Sequence, residues 1–258
     1  MAAAVDRYTC FYLGCEFECD VSMGAASRAC ASGERVHMSH EEWPAITTTV
    51  ADPAAIAGGL GKDEIHIWKL VYDPATRRAP LLALLAAYMG VEVGDVTLIE
   101  GEHGRPALAA GHGSSVDFNW SHSGDRAVAA MGHGVSLGID IEHVRARPRA
   151  LEIAERYFSH TEFAALKSVP PEQRSAAFLD IWTAKEAVLK ALGRGIAFGL
   201  HRLDISVDDG QPRLRRLEGE DVADWNLQRI PVEIGSVTTL AWRGAMRRCR
   251  IFSLANAG

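Results

Sequence analysis

The chain reads Val135-Ser136-Leu137-Gly138-Ile139-Asp140-Ile141-Glu142 near its middle, and this apolar, β-branched run predicts a strand. Side chains alternate along a strand, so Asp140 and Glu142 share one face while Ile139 and Ile141 share the other. Two neighbouring carboxylates repel each other, and burying them unpaired is costly. A divalent cation would relieve that cost, and oxygen ligands suit Mg²⁺. The alternative is a solvent-facing edge strand without a metal.

A second stretch, residues 176–192, predicts a helix that stops at Gly193. Within it stands Trp182-Thr183-Ala184-Lys185-Glu186, with Lys190 one turn later. Glu186 and Lys190 are four residues apart and therefore lie on one helix face. A carboxylate that could bind the metal, one turn from a cation that could hold phosphate, is typical of phosphoryl transfer. The alternative is a solvated ion pair between Glu186 and Lys190.

Further motifs follow in a fixed order between residues 65 and 254. In chain order the motifs are Gly104-Arg105-Pro106, Phe118-Asn119-Trp120-Ser121-His122-Ser123-Gly124, the 138–142 strand, Arg156-Tyr157-Phe158-Ser159 with Glu162, and Trp182-Thr183-Ala184-Lys185-Glu186-Ala187 with Lys190 and Gly193. Together they resemble the 4′-phosphopantetheinyl transferases of the Sfp type. The resemblance implies transfer of the 4′-phosphopantetheine arm of coenzyme A to a serine of an acyl or peptidyl carrier protein. It therefore implies a Mg²⁺ cofactor, coenzyme A as co-substrate and a carrier protein as partner.

The resemblance also implies a role for each matching residue. The metal ligands would be Asp140, Glu142 and Glu186. The catalytic residues would be Glu186, Glu142 and Lys190, with either Glu142 or Glu186 as the base for the carrier serine. Coenzyme A would be bound by Arg105, Ser121, His122, Lys185 and Lys190. For single residues the alternatives are structural: His122 could cap a turn, Trp182 could be core, and Arg156 and Glu162 could stabilise the segment after the strand.

Two stretches of the chain have the same predicted order of helix, strand, proline-containing turn and strand. The first uses residues 81–90, 96–100, 104–108 and 126–131, and the second uses residues 185–193, 203–207, 210–214 and 238–242. We therefore expect an α+β fold of two pseudo-symmetric α/β halves, as in the 4′-phosphopantetheinyl transferase fold.

The first half is truncated by about thirty residues relative to the second. The resemblance places a basic segment that grips coenzyme A at this position, and only Thr76-Arg77-Arg78 remains basic. The truncation motivates an alternative function, a weakened or inactive family member that binds carrier proteins or coenzyme A. A Mg²⁺-dependent phosphohydrolase is a third alternative.

The predicted organisation has three parts: a poorly ordered N-terminal extension over 1–62, the N-terminal half over 63–134, and the C-terminal half with the Mg²⁺ site over 135–258. The extension holds Cys10, Cys15, Cys19 and Cys30, whose loose spacing makes a zinc module an unfavoured alternative.

Composition excludes several classes of protein. The chain has 258 residues, 48% hydrophobic and 23% charged, which is typical of a soluble globular protein. Its net charge of −6 argues against a nucleic-acid binder. The longest apolar run, 79–91, is too short to span a membrane. The first residues lack the apolar core of a secretory signal, so we expect a cytoplasmic protein. The resemblance implies a monomer that serves secondary metabolite biosynthesis. The basic run of Arg145, Arg147 and Arg149 would either face an acidic carrier protein or be solvated.

Overall fold

The computed structural model describes residues 48–101, 105–109 and 116–254 and, before them, the backbone of four strands. The chain divides into two units, Met1–Ile46 and Thr47–Gly258. The first unit contains an antiparallel sheet in the order β1-β2-β3-β4. These strands are β1 (Arg7–Tyr12), β2 (Cys15–Asp20), β3 (Ala25–Ala29) and β4 (Arg35–Val36). The zinc alternative concerns cysteine side chains that lie outside the described residues.

The second unit mixes helices and strands, which confirms the predicted α+β class. Its elements are β5 (Thr49–Ala51), α1 (Pro53–Ala57), β6 (Glu64–Val71), α2 (Ala79–Met89), β7 (Leu98–Glu100), β8 (Pro106–Leu108), β9 (Val116–Ser123), β10 (Arg126–His133), β11 (Leu137–His143), α3 (Ala150–Tyr157), α4 (His160–Ser168), α5 (Arg174–Leu192), β12 (Leu203–Asp208), β13 (Gln211–Leu217), β14 (Trp225–Arg229), β15 (Ser236–Arg243) and β16 (Arg248–Leu254). They form a five-stranded sheet β5-β16-β6-β10-β9, a three-stranded sheet β11-β15-β14, and the hairpins β7-β8 and β12-β13.

The internal repeat is present in the topology. The order β6, α2, β7-β8, β9, β10 matches the order β11, α5, β12-β13, β14, β15. The sheet neighbours also match, because β6-β10-β9 and β11-β15-β14 are both antiparallel. Between β6 and α2 lies only a short connection, whereas α3 and α4 fill the corresponding place between β11 and α5. The first half therefore lacks a helical layer that the second half has.

Strand pairing crosses two of the predicted boundaries. The C-terminal strand β16 pairs in parallel with β6, so this part of the predicted second half belongs to the sheet of the first. Thr49–Ala51 then pairs with β16, and α1 follows with Asp52 as its N-cap, so part of the predicted extension belongs to the fold. Strand β16 covers the edge of β6 that β10 leaves open, and a local sequence pattern does not predict which distant strand takes that place.

Each half has its own apolar core. Helix α2 packs on the five-stranded sheet through residues that include Leu81, Leu84 and Leu85, all fully buried. Helix α5 packs on the three-stranded sheet through residues that include Val188 and Leu189. Trp182 lies at the edge of this second core and stacks on Phe178 at 5.7 Å between ring centroids, so its core interpretation is supported.

Strand β9 links the halves with its side chains rather than its backbone. Asp117 Oδ2, Asn119 Oδ1 and Ser123 Oγ accept hydrogen bonds from the N–H groups of Val135, Ile139 and His143, at 2.8, 2.9 and 3.1 Å. These three acceptors are two or four residues apart, so they share one face of β9. The edge of β11 is thereby satisfied without a backbone ladder.

Helix α5 approaches β11 closely at Gly138. A Cβ atom built there would clash with the carbonyl oxygen of Ala187 and would lie 2.5 Å from the Ala191 nitrogen and 2.9 Å from Lys190 Cβ. Gly138 precedes Asp140 by two residues and shares its face. The missing side chain therefore lets the helix lie against the acidic face of the strand.

We predict that Gly138→Ala destabilises the protein by about 2–4 kcal/mol, because the helix backbone must move to admit the methyl group. The measurement is urea denaturation followed by circular dichroism. Gly58→Ala is the matched control, since Gly58 has φ −65° and open space around the added methyl group. Equal stability of the two variants would contradict the packing argument.

Candidate functional site

The acidic face of β11 meets the polar face of β9. Ser121 Oγ donates a hydrogen bond to Asp140 Oδ1 at 2.7 Å, and Ser123 Oγ donates to Glu142 Oε2 at 3.0 Å. Both serines belong to the face of β9 that also carries Asn119. The predicted strand over 135–142 is therefore confirmed as β11, and its acids lie at the junction of the halves rather than on a solvent-facing edge.

Lys190 brings helix α5 onto this face. Its ammonium group donates to Asp140 Oδ1 at 2.6 Å and to the Ile139 carbonyl at 3.1 Å. Asp140 is buried, so its pairing with Lys190 compensates part of the cost of its desolvation. The second oxygen, Asp140 Oδ2, is buried without a hydrogen-bond partner among the described residues. One oxygen of this carboxylate is therefore bound, and the other remains available for a further cation.

Glu186 lies one turn before Lys190 on α5 and interacts electrostatically with both acids of β11, Asp140 and Glu142. Burial, followed by the charges of Asp140 and Glu142, raises the pKa of Glu186 to about 7, against the opposing effect of Lys190. Its Oε1 atom is also buried without a hydrogen-bond partner among the described residues. Unlike Asp140, Glu186 has no cation of its own in the site. Ionised, it is the acid with most to gain from a bound metal ion.

Glu142 has a cation already. Arg147 donates from its NH2 atom to Glu142 Oε2 at 2.7 Å, beside the bond from Ser123. Within the described residues, no group of three or more His, Cys, Asp or Glu side chains lies in an arrangement that could hold a metal ion. The three predicted ligands Asp140, Glu142 and Glu186 lie close enough to interact electrostatically, but the Glu142 carboxylate is turned toward Arg147.

A positively charged region adjoins these acids. The exposed His122 ring stacks on Tyr72, with 3.8 Å between ring centroids and 2° between ring planes. Partial burial, together with the charges of Lys190 and Arg78, lowers the pKa of His122. Arg78 and Lys190 therefore lie close enough to His122 to act on it electrostatically. An anion entering here would meet two full cations and an imidazole.

Lys185 lies away from this region, and its contact with coenzyme A stays a prediction that its position does not favour. Its side chain is 0% exposed, forms an ion pair with Glu162 at 2.7 Å, and donates to the carbonyls of Leu200 and Leu203 at 2.8 and 2.6 Å. Five residues separate Lys185 from Lys190, so the two lie on different faces of α5. Lys185 stabilises the second core instead.

Glu162 has the structural role that the sequence left open. It completes a capping box with Ser159 at the start of α4 and accepts a hydrogen bond from the Ile205 N–H at 2.7 Å. Together with Lys185, it joins α4, α5 and β12 through one buried charged pair.

Two further predicted coenzyme A residues are engaged within the protein. The guanidinium group of Arg105 donates to the backbone carbonyls of Phe118 and Leu137 at 3.2 and 3.1 Å, and to that of Lys190. Arg105 therefore connects β9, β11 and α5. Ser121 is buried and bonds to Asp140, so it positions the carboxylate. Both side chains thus bond within the protein, whereas His122 is exposed.

Comparisons with known proteins agree with the geometry. The sequence model of the 4′-phosphopantetheinyl transferase superfamily matches residues 136–241. The 4′-phosphopantetheinyl transferase HetI of Nostoc sp. is 35% identical over 196 residues, which cover 73% of this chain and 81% of HetI. The chain belongs to the 4′-phosphopantetheinyl transferase superfamily.

Other members match over a shorter stretch. The 4′-phosphopantetheinyl transferase Sfp of Bacillus subtilis is 32% identical over 118 residues, covering 45% of this chain and 50% of Sfp. The 4′-phosphopantetheinyl transferase AcpT of Salmonella typhimurium is 39% identical over 115 residues, covering 45% of this chain and 56% of AcpT. The chain thus spans about half the length of these two relatives.

Several residues of this superfamily member were missed by reasoning from sequence. Ser123 lies within a quoted motif, and the two-residue alternation of β9 would have placed it beside Ser121. Arg147 was seen only as part of a basic run, although its position five residues after Glu142 allows a local ion pair. Tyr72 carries no signal of its own, because its stack on His122 depends on how β6 and β9 lie in the sheet.

No helix in the described parts of this member is long and apolar enough to cross a membrane.

We predict that Lys185→Met destabilises this superfamily member by about 3–5 kcal/mol, because Glu162 then keeps a buried charge without its partner. Urea denaturation measures the change, and the double variant Lys185→Met/Glu162→Gln should recover part of it. Lys167→Met, at an exposed position of α4, is the control and should change stability by about 0.5 kcal/mol or less. A stable Lys185→Met variant with a raised KM for coenzyme A would restore the ligand role.

We also predict that Glu186→Gln stabilises the metal-free protein by about 1–3 kcal/mol at pH 8. The raised pKa means that ionised Glu186 destabilises the folded state. This cost is absent below the unfolded-state pKa and grows as the pH rises toward 7. Denaturation in EDTA at pH 5 and pH 8 measures it, with the exposed Glu155→Gln as control. A stability gain that is the same at both pH values would show that charge is not its origin.

Proposed function

We propose that this protein transfers the 4′-phosphopantetheine arm of coenzyme A to a serine of an acyl or peptidyl carrier protein, in a Mg²⁺-dependent reaction. The observation that carries the proposal is the pair of buried oxygens Asp140 Oδ2 and Glu186 Oε1 near Lys190, neither of which has a hydrogen-bond partner among the described residues. In a chain of this superfamily, two such acids from a strand and a helix suit a hard cation that also binds a diphosphate.

The donor chemistry fits Mg²⁺. Asp140 and Glu186 would hold the ion, and Glu142 would join them if its carboxylate turned from Arg147. Mg²⁺ usually binds one or two carboxylates and keeps water and substrate phosphate in its other positions, so two acids suffice. Once bound, the ion would neutralise charge on the pyrophosphate of coenzyme A.

The phosphates of coenzyme A are the anions that suit the positive region. Lys190 lies between the acids and His122, and it can exchange its bond to Asp140 for one to a phosphate oxygen. Arg78 and His122 belong to the first half and Lys190 belongs to the second. A nucleotide that contacts all three would therefore bridge the two halves. Their charges add to affinity chiefly through hydrogen bonds between charged partners.

Glu142 and Glu186 are the two candidates for the base that accepts the serine proton. Burial raises the pKa of Glu186 to about 7 in the metal-free protein, and a metal ion held by Glu186 would lower that pKa again. Glu142 accepts hydrogen bonds from Arg147 and Ser123, both at Oε2. The base role would fall to the carboxylate that the metal ion leaves free.

The short connection between β6 and α2 leaves few basic residues on the first half. We expect coenzyme A to bind more weakly than it would with a full set of phosphate contacts, which raises KM rather than abolishing transfer. The proposal includes a monomeric protein in the cytoplasm, where coenzyme A is available. Its competing outcome is a module that binds carrier protein or coenzyme A without turnover.

The test incubates the protein with coenzyme A, MgCl₂ and several apo carrier proteins, including carriers from secondary metabolism, and measures intact carrier mass. We expect the unaltered protein to add the phosphopantetheine mass to a carrier. We expect Asp140→Ala and Glu186→Gln to lower the transfer rate by about 100-fold or more. Glu155→Gln is the control with an unchanged rate. Calorimetric binding of a carrier without any mass gain would favour the module, and phosphate release from simple esters would favour a phosphohydrolase.

A further inference from the structure

Arg147 is held in place from several sides. Its backbone N–H donates to Ser175 Oγ in the first turn of α5 at 2.9 Å, and its carbonyl accepts from the Ala150 N–H at the start of α3 at 2.9 Å. Its guanidinium group donates to Glu142 at 2.7 Å, with the side chains 27% and 23% exposed. The residue therefore joins β11 to α5, the helix that carries Glu186 and Lys190.

Glu142, the carboxylate to which Arg147 donates, is also held in place. Glu142 Oε2 accepts from Arg147 and from Ser123, whose own oxygen accepts from the His143 N–H. Arg147 Nε is buried without a hydrogen-bond partner among the described residues, so the pair rests on one bond from NH2. A single bond to a carboxylate is weaker than the bidentate geometry available to arginine. Another cation can therefore displace it.

The charges of the site do not balance evenly. Lys190 pairs with Asp140 and Arg147 pairs with Glu142, so within the described part of the chain Glu186 is the acid of the three that has no ion pair of its own. A divalent ion that draws on all three acids must take Glu142 from Arg147 or accept the nearby positive charge. In either case Arg147 lowers the affinity of the site for the divalent ion.

We propose that Arg147 is a positioning residue that sets the divalent-cation affinity of this site by competing with the ion for Glu142. The inference rests on the proposed function, since it takes the site to be one for Mg²⁺. Without Arg147, Glu142 would join Glu186 as a second carboxylate that has no ion pair within the described part of the site. Arg147 also holds metal affinity low, so that the ion binds well only when a diphosphate supplies further oxygen ligands.

The test measures Mn²⁺ binding by electron paramagnetic resonance, with Mn²⁺ standing in for Mg²⁺ and with no coenzyme A or carrier present. We expect Arg147→Ala to bind Mn²⁺ about fivefold to tenfold more tightly than the unaltered protein, because one nearby positive charge is lost. Arg147→Lys keeps the charge and should bind within about twofold of the unaltered protein. The exposed Arg149→Ala, whose partner is Glu152, controls for general charge effects.

A double-mutant cycle with Glu142→Gln separates competition from simple repulsion. If Arg147 acts through Glu142, the gain from Arg147→Ala should largely vanish in the Glu142→Gln background. Unchanged or weaker Mn²⁺ binding by Arg147→Ala overturns the inference, as does an equal gain in both backgrounds. Failure of both the unaltered protein and Arg147→Ala to bind Mn²⁺ at millimolar concentration also overturns it. The mass assay reports the proposed function separately, because transfer can occur whatever Arg147 contributes to metal affinity.

Discussion

The approach of helix α5 to strand β11 at Gly138 is the contact on which the candidate site depends. With no side chain at this position, the helix backbone lies against the strand and carries Glu186 and Lys190 over Asp140. The acids of the site come from two elements far apart in sequence, so no local interaction could bring them together. The packing of α5 on its sheet, together with the ion pairs of Lys190 and Arg147, supplies the free energy that holds these like charges side by side.

The candidate site also depends on the junction between the two halves, where side chains of β9 rather than backbone pairing contact β11. One face of β9 supplies Asp117, Asn119, Ser121 and Ser123, which bond to the backbone of β11 and to its acids. The opposite face, with Phe118 and Trp120, is buried in the core of the first half. A single strand with two chemically different faces therefore fixes the register between the repeated halves and orients the carboxylates of the second.

Much of this arrangement was predictable from local pattern. The period of two in residues 135–142 predicts the shared face of Asp140 and Glu142, and helical spacing predicts that of Glu186 and Lys190. The repeat was visible because each half repeats the same element order. What local pattern could not predict is the destination of long side chains and terminal strands. Lys185 and Arg105 look like surface cations by type, yet both bond to backbone carbonyls in the interior, and β16 crosses to the other sheet.

The two lysines of α5 show why residue type and motif position do not by themselves assign a ligand role. Helical geometry turns Lys185 toward the second core, where Glu162 and two carbonyls use its donors, while Lys190 faces the acids of β11. A buried ammonium group with a full set of partners cannot take on a phosphate without breaking the core. Lys190 could do so under the proposed function, because a bound metal ion would give Asp140 an alternative cation. Exchange of partners among Asp140, Glu186 and Lys190 is therefore the chemistry that this arrangement permits and that the Lys185 pair does not.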